Sequence, residues 1–420
     1  MQNSKKHALI VGAGVSGLAT AYHLNQAGMD VTVFDKTDAT NNCSFGNAGL
    51  IAPRYIIPLA SPGVISQGLG YMLKKESPFY IHPRLNKDLI SWLWKFKKAA
   101  TAERAKAAGP VLRDMIRRNQ KILEDLQEKD NLEFSYHKNG HLTLCETTAT
   151  LEKEKKAAER AEELGVEAKI LSAEEVFKME PNAPKNTIGA SFYPEDAHLH
   201  SNQLMINLRQ LLQERGVQFK LHTEIKSIIE SSTGEVQAIS AAKESFTGDY
   251  LVVCGGAWTA DLMKKLQVNV PIQAGKGYSI TLKNPPNSSR YNFTMEEKKV
   301  AVTPMGDAMR FAGTMEIVGR DMSITAPKVN AIKKAILEFF PEYSMEDLNK
   351  EDVWVGLRPC SADGMPYIGK INTRKNIYIS SGYSMVGMSL SFTAGEIIKE
   401  LITTGKATLL NPLIDPNRFN

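Results

Sequence analysis

Apolar positions along this chain follow two periods. Ala8-Leu9-Ile10-Val11 is a short unbroken apolar run that enters Gly12-Ala13-Gly14-Val15-Ser16-Gly17, followed by a helical stretch and then Val31-Thr32-Val33-Phe34-Asp35. The order predicted is strand, glycine turn, helix, strand. Tyr250-Leu251-Val252-Val253-Cys254 is a second continuous run, and it ends in Gly255-Gly256 as a buried parallel strand does. A late short strand at 377–380 enters Gly382. Helical spacing of Leu112, Met115, Ile116, Ile122, Leu123 and Leu126 predicts a helix with Pro110 near its start. Ser172-Ala173-Glu174-Glu175 is a capping box. Leu204, Leu208, Leu211 and Leu212 predict a helix that stops at Gly216. Ile332, Ile336, Leu337 and Phe340 predict one before Pro341, and a last helix covers about 389–402. Alternation at 278–282, 299–303 and 309–316 predicts sheet strands with one wet face, and 217–225 with 236–240 an antiparallel meander.

The parallel-type elements are split between the N-terminus, the middle near 250 and the C-terminal part. The fold class expected is α/β (α+β overall), a Rossmann-like dinucleotide-binding domain with an interleaved antiparallel-sheet substrate domain. The division expected is 1–55, 195–262 and 352–415 for the first, 56–194 and 263–351 for the second. No internal repeat or low-complexity linker interrupts it.

Composition narrows the function. The chain has 420 residues, 43% of them hydrophobic, and a net charge of +5. Its basic residues are interleaved with acids, so no nucleic-acid surface is expected. Cys43, Cys145, Cys254 and Cys360 form no CxxC pair, and His198 and His200 lack a third ligand nearby, so no metal site is expected. Without a secretory leader the expected setting is cytoplasmic with reduced thiols. The segment 89–98 mixes Trp92, Trp94 and Phe96 with Lys95, Lys97 and Lys98. It is read as a core-packed amphipathic helix, with peripheral contact at the inner membrane surface left open.

The glycine turn carries the first chemistry. Gly12 makes the tight turn, Gly14 lets backbone N–H groups approach a pyrophosphate, and Gly17 allows the helix to pack on the strand. Val15 and Ser16 open the helix whose N-terminus faces the phosphates. Asp35, with Lys36 beside it, ends the second strand where a carboxylate meets ribose hydroxyls.

Several further motifs resemble one family. They are Ser44-Phe45-Gly46-Asn47-Ala48-Gly49, Ser77-Pro78-Phe79-Tyr80-Ile81, Gly275-Lys276-Gly277-Tyr278-Ser279, and Gly356-Leu357-Arg358-Pro359 followed by Asp363-Gly364-Met365-Pro366. Together they resemble the FAD-dependent D-amino acid oxidase superfamily, closest to its bacterial D-amino acid dehydrogenase branch. The resemblance implies noncovalent FAD, with Ser44, Asn47, Ala48 and Gly49 beside the ring. Gly255, Gly256 and Trp258 would follow the middle strand, and Gly382, Val386, Gly387, Met388 and Ser389 the last one. A helix N-terminus at 387–389 can stabilise negative charge on a reduced ring.

Arg358 is the expected clamp for a substrate carboxylate, because a guanidinium offers a planar two-pronged donor. Tyr55, Tyr278 and Tyr383 are candidate hydroxyl donors. Residues 70–98 and 274–314 are expected to shape the side-chain pocket. Ala301 stands where small-substrate oxidases of the family carry a tyrosine, and Tyr383, Ser384 and Met385 follow Gly382 where they carry a second arginine or a histidine.

The activity implied is FAD-dependent oxidation of a small amino acid, of D configuration, by hydride transfer from Cα to flavin N5. Electrons would pass to oxygen or a quinone. A glycine/sarcosine-type oxidase or a D-hydroxyproline dehydrogenase is the alternative within the family. Outside it stand an NAD-linked dehydrogenase and a non-catalytic nucleotide-binding module.

Overall fold

The computed structural model describes residues 5–72 and 77–420. Four residues of the segment 70–98, at 73–76, lie outside the described part, as do residues 1–4. Two large sheets organise the chain. The first has six strands in the order Tyr367–Lys370, Ile377–Ser381, Tyr250–Val253, His7–Val11, Asp30–Phe34 and Gln218–Lys220. All neighbours run parallel except the first pair. The unbroken apolar runs are central because both their faces are covered: Leu9, Ile10, Leu251, Val252 and Val253 are fully buried. The helix Val15–Gln26 joins the first two strands and packs against the helix Gly387–Thr404. They meet closely because a side chain on Gly395 would reach the Ala19 carbonyl at 2.7 Å.

The second sheet has nine strands. Eight follow the order Val353–Ser361, Ile272–Lys283, Ala308–Ile317, Val300–Met305, Asn292–Met295, His141–Cys145, Gly189–Tyr193 and Lys169–Ser172, and Phe79–Ile81 pairs with Ala308–Ile317. It is mainly antiparallel, with two parallel pairings at His141–Cys145 and Phe79–Ile81. Alternation gives it two unlike faces. Tyr278, Ile280, Leu282, Val302, Met309 and Phe311 pack with Val329, Ile332 and Ile336 of the helix Ala326–Phe339. The opposite face carries small and hydroxyl residues. Ala312, Ala301, Thr294, Thr143 and Ser191 stand side by side across five strands in register.

This corrects the expectation of a wet face. Every residue of Ala308–Ile317 is buried; the polar half of the alternation turns toward an internal cavity, not toward bulk water. Three further expectations change. Pro110 does not mark a helix start, because the helix Ala102–Asp130 begins at Thr101, whose side chain accepts the Arg104 N–H. Its buried face, Ala105, Ala108, Leu112 and Met115, carries it across the proline. The segment 217–225 is not one meander strand. Gln218–Lys220 extends the parallel sheet, and Ile225–Glu230 forms the meander with Val236–Ser240 and Ser245–Gly248. Finally, Val353–Ser361, expected with the dinucleotide-binding part, pairs with Ile272–Lys283 in the second sheet. The helix Ala102–Asp130, expected with the substrate part, shares its core with Leu390, Phe392 and Ile397.

One ionic cluster ties distant segments together. The fully buried Asp363 accepts from Arg104 Nη2 at 2.5 Å and from Arg418 Nε and Nη2 at 2.8 and 2.9 Å.

Candidate active site

A cavity of about 1310 Å³ lies between the carboxyl ends of the parallel strands and the small-residue face of the second sheet. Ligands of open α/β sheets bind at such strand ends. Its nucleotide end is built on the glycine turn. Gly12 has φ +113°, and a side chain there would meet the Cys254 carbonyl at 2.5 Å. One on Gly17 would meet the Gly12 carbonyl at 1.8 Å, so the turn and the helix can close only as glycines. Ser44 Oγ accepts the Val15 N–H at 3.0 Å, and Asn42 Nδ2 donates to Ala13 O at 2.9 Å. Asp35 lines the cavity, and its carboxylate also accepts from the Ala13 and Thr37 N–H groups, each at 2.9 Å. It therefore ties the glycine turn to the strand end. The Lys36 ammonium stands 3.5 Å over the Trp258 ring; burial pushes its pKa down.

Of the residues expected at a cofactor, Gly12, Gly14, Val15, Ser16, Asp35, Lys36, Ser44, Asn47, Ala48, Gly255, Gly256, Trp258, Gly387 and Met388 line this cavity. Gly17, Gly49, Gly382, Val386 and Ser389 are set behind it. Ser389 Oγ, for example, donates to Leu50 O at 2.9 Å. The helix Gly387–Thr404 opens at the cavity with no acidic residue in its first turn, which leaves its positive end available to an anionic group. The glycine turn, the indole wall and the helix end fit a flavin dinucleotide.

Sequence reasoning missed Arg310. Its Nη1 donates to Phe45 O, Asn47 O and Ser201 Oγ at 2.8, 2.7 and 2.7 Å. The buried guanidinium fixes the 44–49 loop, and burial lowers its pKa to about 10. The alternating strand gave its position; only the folded sheet shows that it meets that loop.

The other end of the cavity holds Arg358. Its Nη1 donates to Thr314 O at 2.9 Å. Among the described residues no carboxylate pairs with it, and burial pushes its pKa down. All three expected tyrosines line the cavity, but their hydroxyls differ. Tyr278 sits on the apolar face of the sheet, where its hydroxyl donates to Glu316 at 2.7 Å and accepts the Thr325 N–H at 3.1 Å. The Tyr383 hydroxyl lies 2.5 Å from Ser380 Oγ and 3.4 Å from Ser16 Oγ, toward the glycine-turn helix. Both hydroxyls are therefore engaged in the framework, so neither is a free donor. Tyr55 lines the cavity; its oxygen accepts from Arg54 Nη2 at 3.3 Å, which leaves its own hydrogen to donate, and its phenol is close enough to influence Arg358.

Arg54, also missed, is wired from behind. Its Nε donates to the buried Asp196 at 2.7 Å and its Nη2 to His141 Nε2 at 2.8 Å. Burial, then the charge of Arg54, holds His141 well below the usual histidine range, so its nitrogen accepts. Burial pushes Asp196 up to about 7. His198 is bonded to Asn292 at 3.0 Å and His200 precedes a helix. Among the described residues no group of His, Cys, Asp and Glu could hold a metal ion.

The family described as FAD dependent oxidoreductase (DAO) matches residues 7–401. The chain belongs to this family. It is an FAD-dependent oxidoreductase, which removes the NAD-linked and non-catalytic readings. Among curated relatives, a D-amino acid dehydrogenase of Vibrio vulnificus (strain CMCP6) is 28% identical over 402 residues, 94% of this chain and 95% of the relative. One of Helicobacter pylori is 29% identical, covering 96% of each. Glycine oxidase from Geobacillus kaustophilus has the same fold, with TM-score 0.77 and 19% identity over 99% of this chain and 100% of that one. L-proline dehydrogenase from P. horikoshii follows at TM-score 0.71 and 18% identity, over 99% and 98%. These likenesses bear out the α/β family fold expected from the motifs. Among the described residues no helix is long and apolar enough to cross a membrane.

Proposed function

We propose that this protein oxidises a small D-amino acid to its imino acid, with noncovalent FAD as the electron acceptor. The observation that carries the reading is Arg358: a half-buried, cavity-lining guanidinium with one carbonyl partner and, among the described residues, no acid to neutralise it. Leaving such a charge unpaired is costly, and a substrate carboxylate supplies both the charge and the two-pronged acceptor. The relatives named D-amino acid dehydrogenase support the choice of substrate.

In this reading Arg358 and the Tyr55 hydroxyl hold the carboxylate, and Ala301 and Ala312 leave room beside Cα. FAD, when bound, supplies the hydride acceptor. No side chain has to take a proton if the amine binds neutral, so the residues act by positioning and by keeping water away. The helix end at Gly387 and Met388 favours negative charge near it. The imino acid then leaves and hydrolyses in water, or stays cyclic if the substrate is proline-like.

The acceptor that reoxidises the enzyme is proposed to be a quinone at the inner, cytoplasmic face of a membrane. What supports this is the helix Lys87–Ala99. Leu89, Trp92 and Phe96 are buried, as expected for core packing, while Ile90, Leu93 and Trp94 are exposed beside Lys97 and Lys98. The deciding experiment mixes the yellow holoenzyme anaerobically with D- and L-amino acids and follows loss of flavin absorbance. Bleaching by D enantiomers supports the reading; bleaching by none overturns it.

A further inference from the structure

The cavity continues past Tyr55 along the row Ala312, Ala301, Thr294 and Thr143, with Ser191 buried next in the same row. Strands lie about 4.8 Å apart, so this row spans roughly 19 Å. Its walls are polar. Arg54 reaches it beside Thr294, since both are bonded to His141 Nε2, at 2.8 and 3.1 Å. Glu154, on the helix Thr148–Glu163, closes its far end and accepts from Ser191 Oγ at 3.0 Å. Glu296 and Lys299 also line it and neutralise each other as an ion pair, and Lys153 stands exposed at the rim.

Two groups remain. Arg54 is held from behind by Asp196 and His141, with an edge of its guanidinium on the cavity. Glu154 is a buried carboxylate whose hydrogen-bond partner is a hydroxyl. Each feels the charge of the other, yet among the described residues they form no ion pair within 4.0 Å. A donor and an acceptor thus face one stretch of cavity without touching. An acidic side chain there would be repelled by Glu154, and a basic one by Arg54. A purely apolar one would strip water from both without replacing it. A group that accepts and donates at once satisfies both.

We propose that Arg54 and Glu154 form a side-chain subsite for a neutral polar group, a hydroxyl or a carboxamide, on the substrate. The inference rests on the amino-acid reading above and narrows it to hydroxylated or amide-bearing members of that class. A site built to bond a hydroxyl rejects the isostere lacking it far more strongly than it resolves a methylene.

The test uses the FAD-loaded full chain and two volume-matched pairs, D-threonine against D-valine and D-asparagine against D-leucine, together with 4-hydroxy-D-proline isomers against D-proline, which differ by the hydroxyl alone. At least one polar member is expected to exceed its partner in kcat/KM by about tenfold or more. Turnover of the apolar members at equal or higher efficiency overturns the subsite while leaving the amino-acid reading intact. Flavin bleached by no member defeats both. Glu154→Leu is expected to bring the preferred ratio toward one. If that variant purifies without flavin, Glu154→Gln replaces it, with a severalfold drop expected as a charge-assisted bond becomes neutral. A ratio unchanged in the flavin-bearing variant removes Glu154 from the subsite.

Discussion

Arg358 lies across Gly277: a Cβ on Gly277 would stand 1.9 Å from Arg358 Nη1 and 2.4 Å from Cζ. The two residues sit on paired strands, Ile272–Lys283 and Val353–Ser361. The absence of a side chain at 277 is what lets the guanidinium rest there. Gly277→Ala should displace Arg358 and lower kcat/KM for the preferred amino acid at least about 100-fold, near the effect of Arg358→Met. That is about 3 kcal/mol, the scale of a lost bond to a charged group. Flavin absorbance should persist in both variants. Efficiency within threefold of the parent would remove Arg358 from the carboxylate site.

Gly17→Ala tests the nucleotide end. Its methyl would enter the Gly12 carbonyl at 1.8 Å, an approach that moves backbone and not a flexible side chain. The turn must open, and its N–H groups leave the pyrophosphate. FAD affinity measured by fluorescence titration should fall at least tenfold. Unaltered affinity would detach this turn from the cofactor.

Acid should destabilise the fold through His23. It is buried between the helices Val15–Gln26 and Gly387–Thr404, its Nε2 has no partner among the described residues, and burial lowers its pKa to about 4 from the ordinary 6.5. The folded state then binds fewer protons than the unfolded chain between those values. The associated stability is complete above about pH 6.5 and is lost as pH falls toward 4. Its size is roughly 3 kcal/mol. Tm should decline over that window, and His23→Leu should flatten part of the decline. An equally steep profile in the variant would place the acid sensitivity elsewhere.

Membrane contact is tested on the outer face of the helix Lys87–Ala99. Trp94 is 56% exposed and carries Lys98 Nζ 3.6 Å above its ring. Replacing Leu93 and Trp94 with glutamate should abolish co-sedimentation with anionic, quinone-loaded vesicles. Turnover with a soluble dye acceptor should stay at the parent level. Equal sedimentation of parent and variant would exclude this face.

What the sequence disclosed was mostly local. The glycine turn, the capping box at Ser172 and the Arg358 motif each sit within a few residues, where sterics or hydrogen bonding act along the chain. Arg54 escaped notice because its partners, Asp196 and His141, are remote in sequence. Tyr278 lines the cavity as expected, but the sequence could not show that its hydroxyl is taken up by Glu316 and the Thr325 N–H, because those partners lie 38 and 47 residues away. Pro110 was mistaken for a boundary because its local rule yields when a long buried face continues on both sides.

The grip of Arg104 and Arg418 on Asp363 has its own consequence. Peeling away the segment that carries Arg418 would leave the buried carboxylate to Arg104 alone, close in sequence to the motif that presents Arg358. Detachment of that tail should therefore loosen the turn that follows the Arg358 strand. A protease that trimmed it would weaken substrate capture while the yellow colour remained.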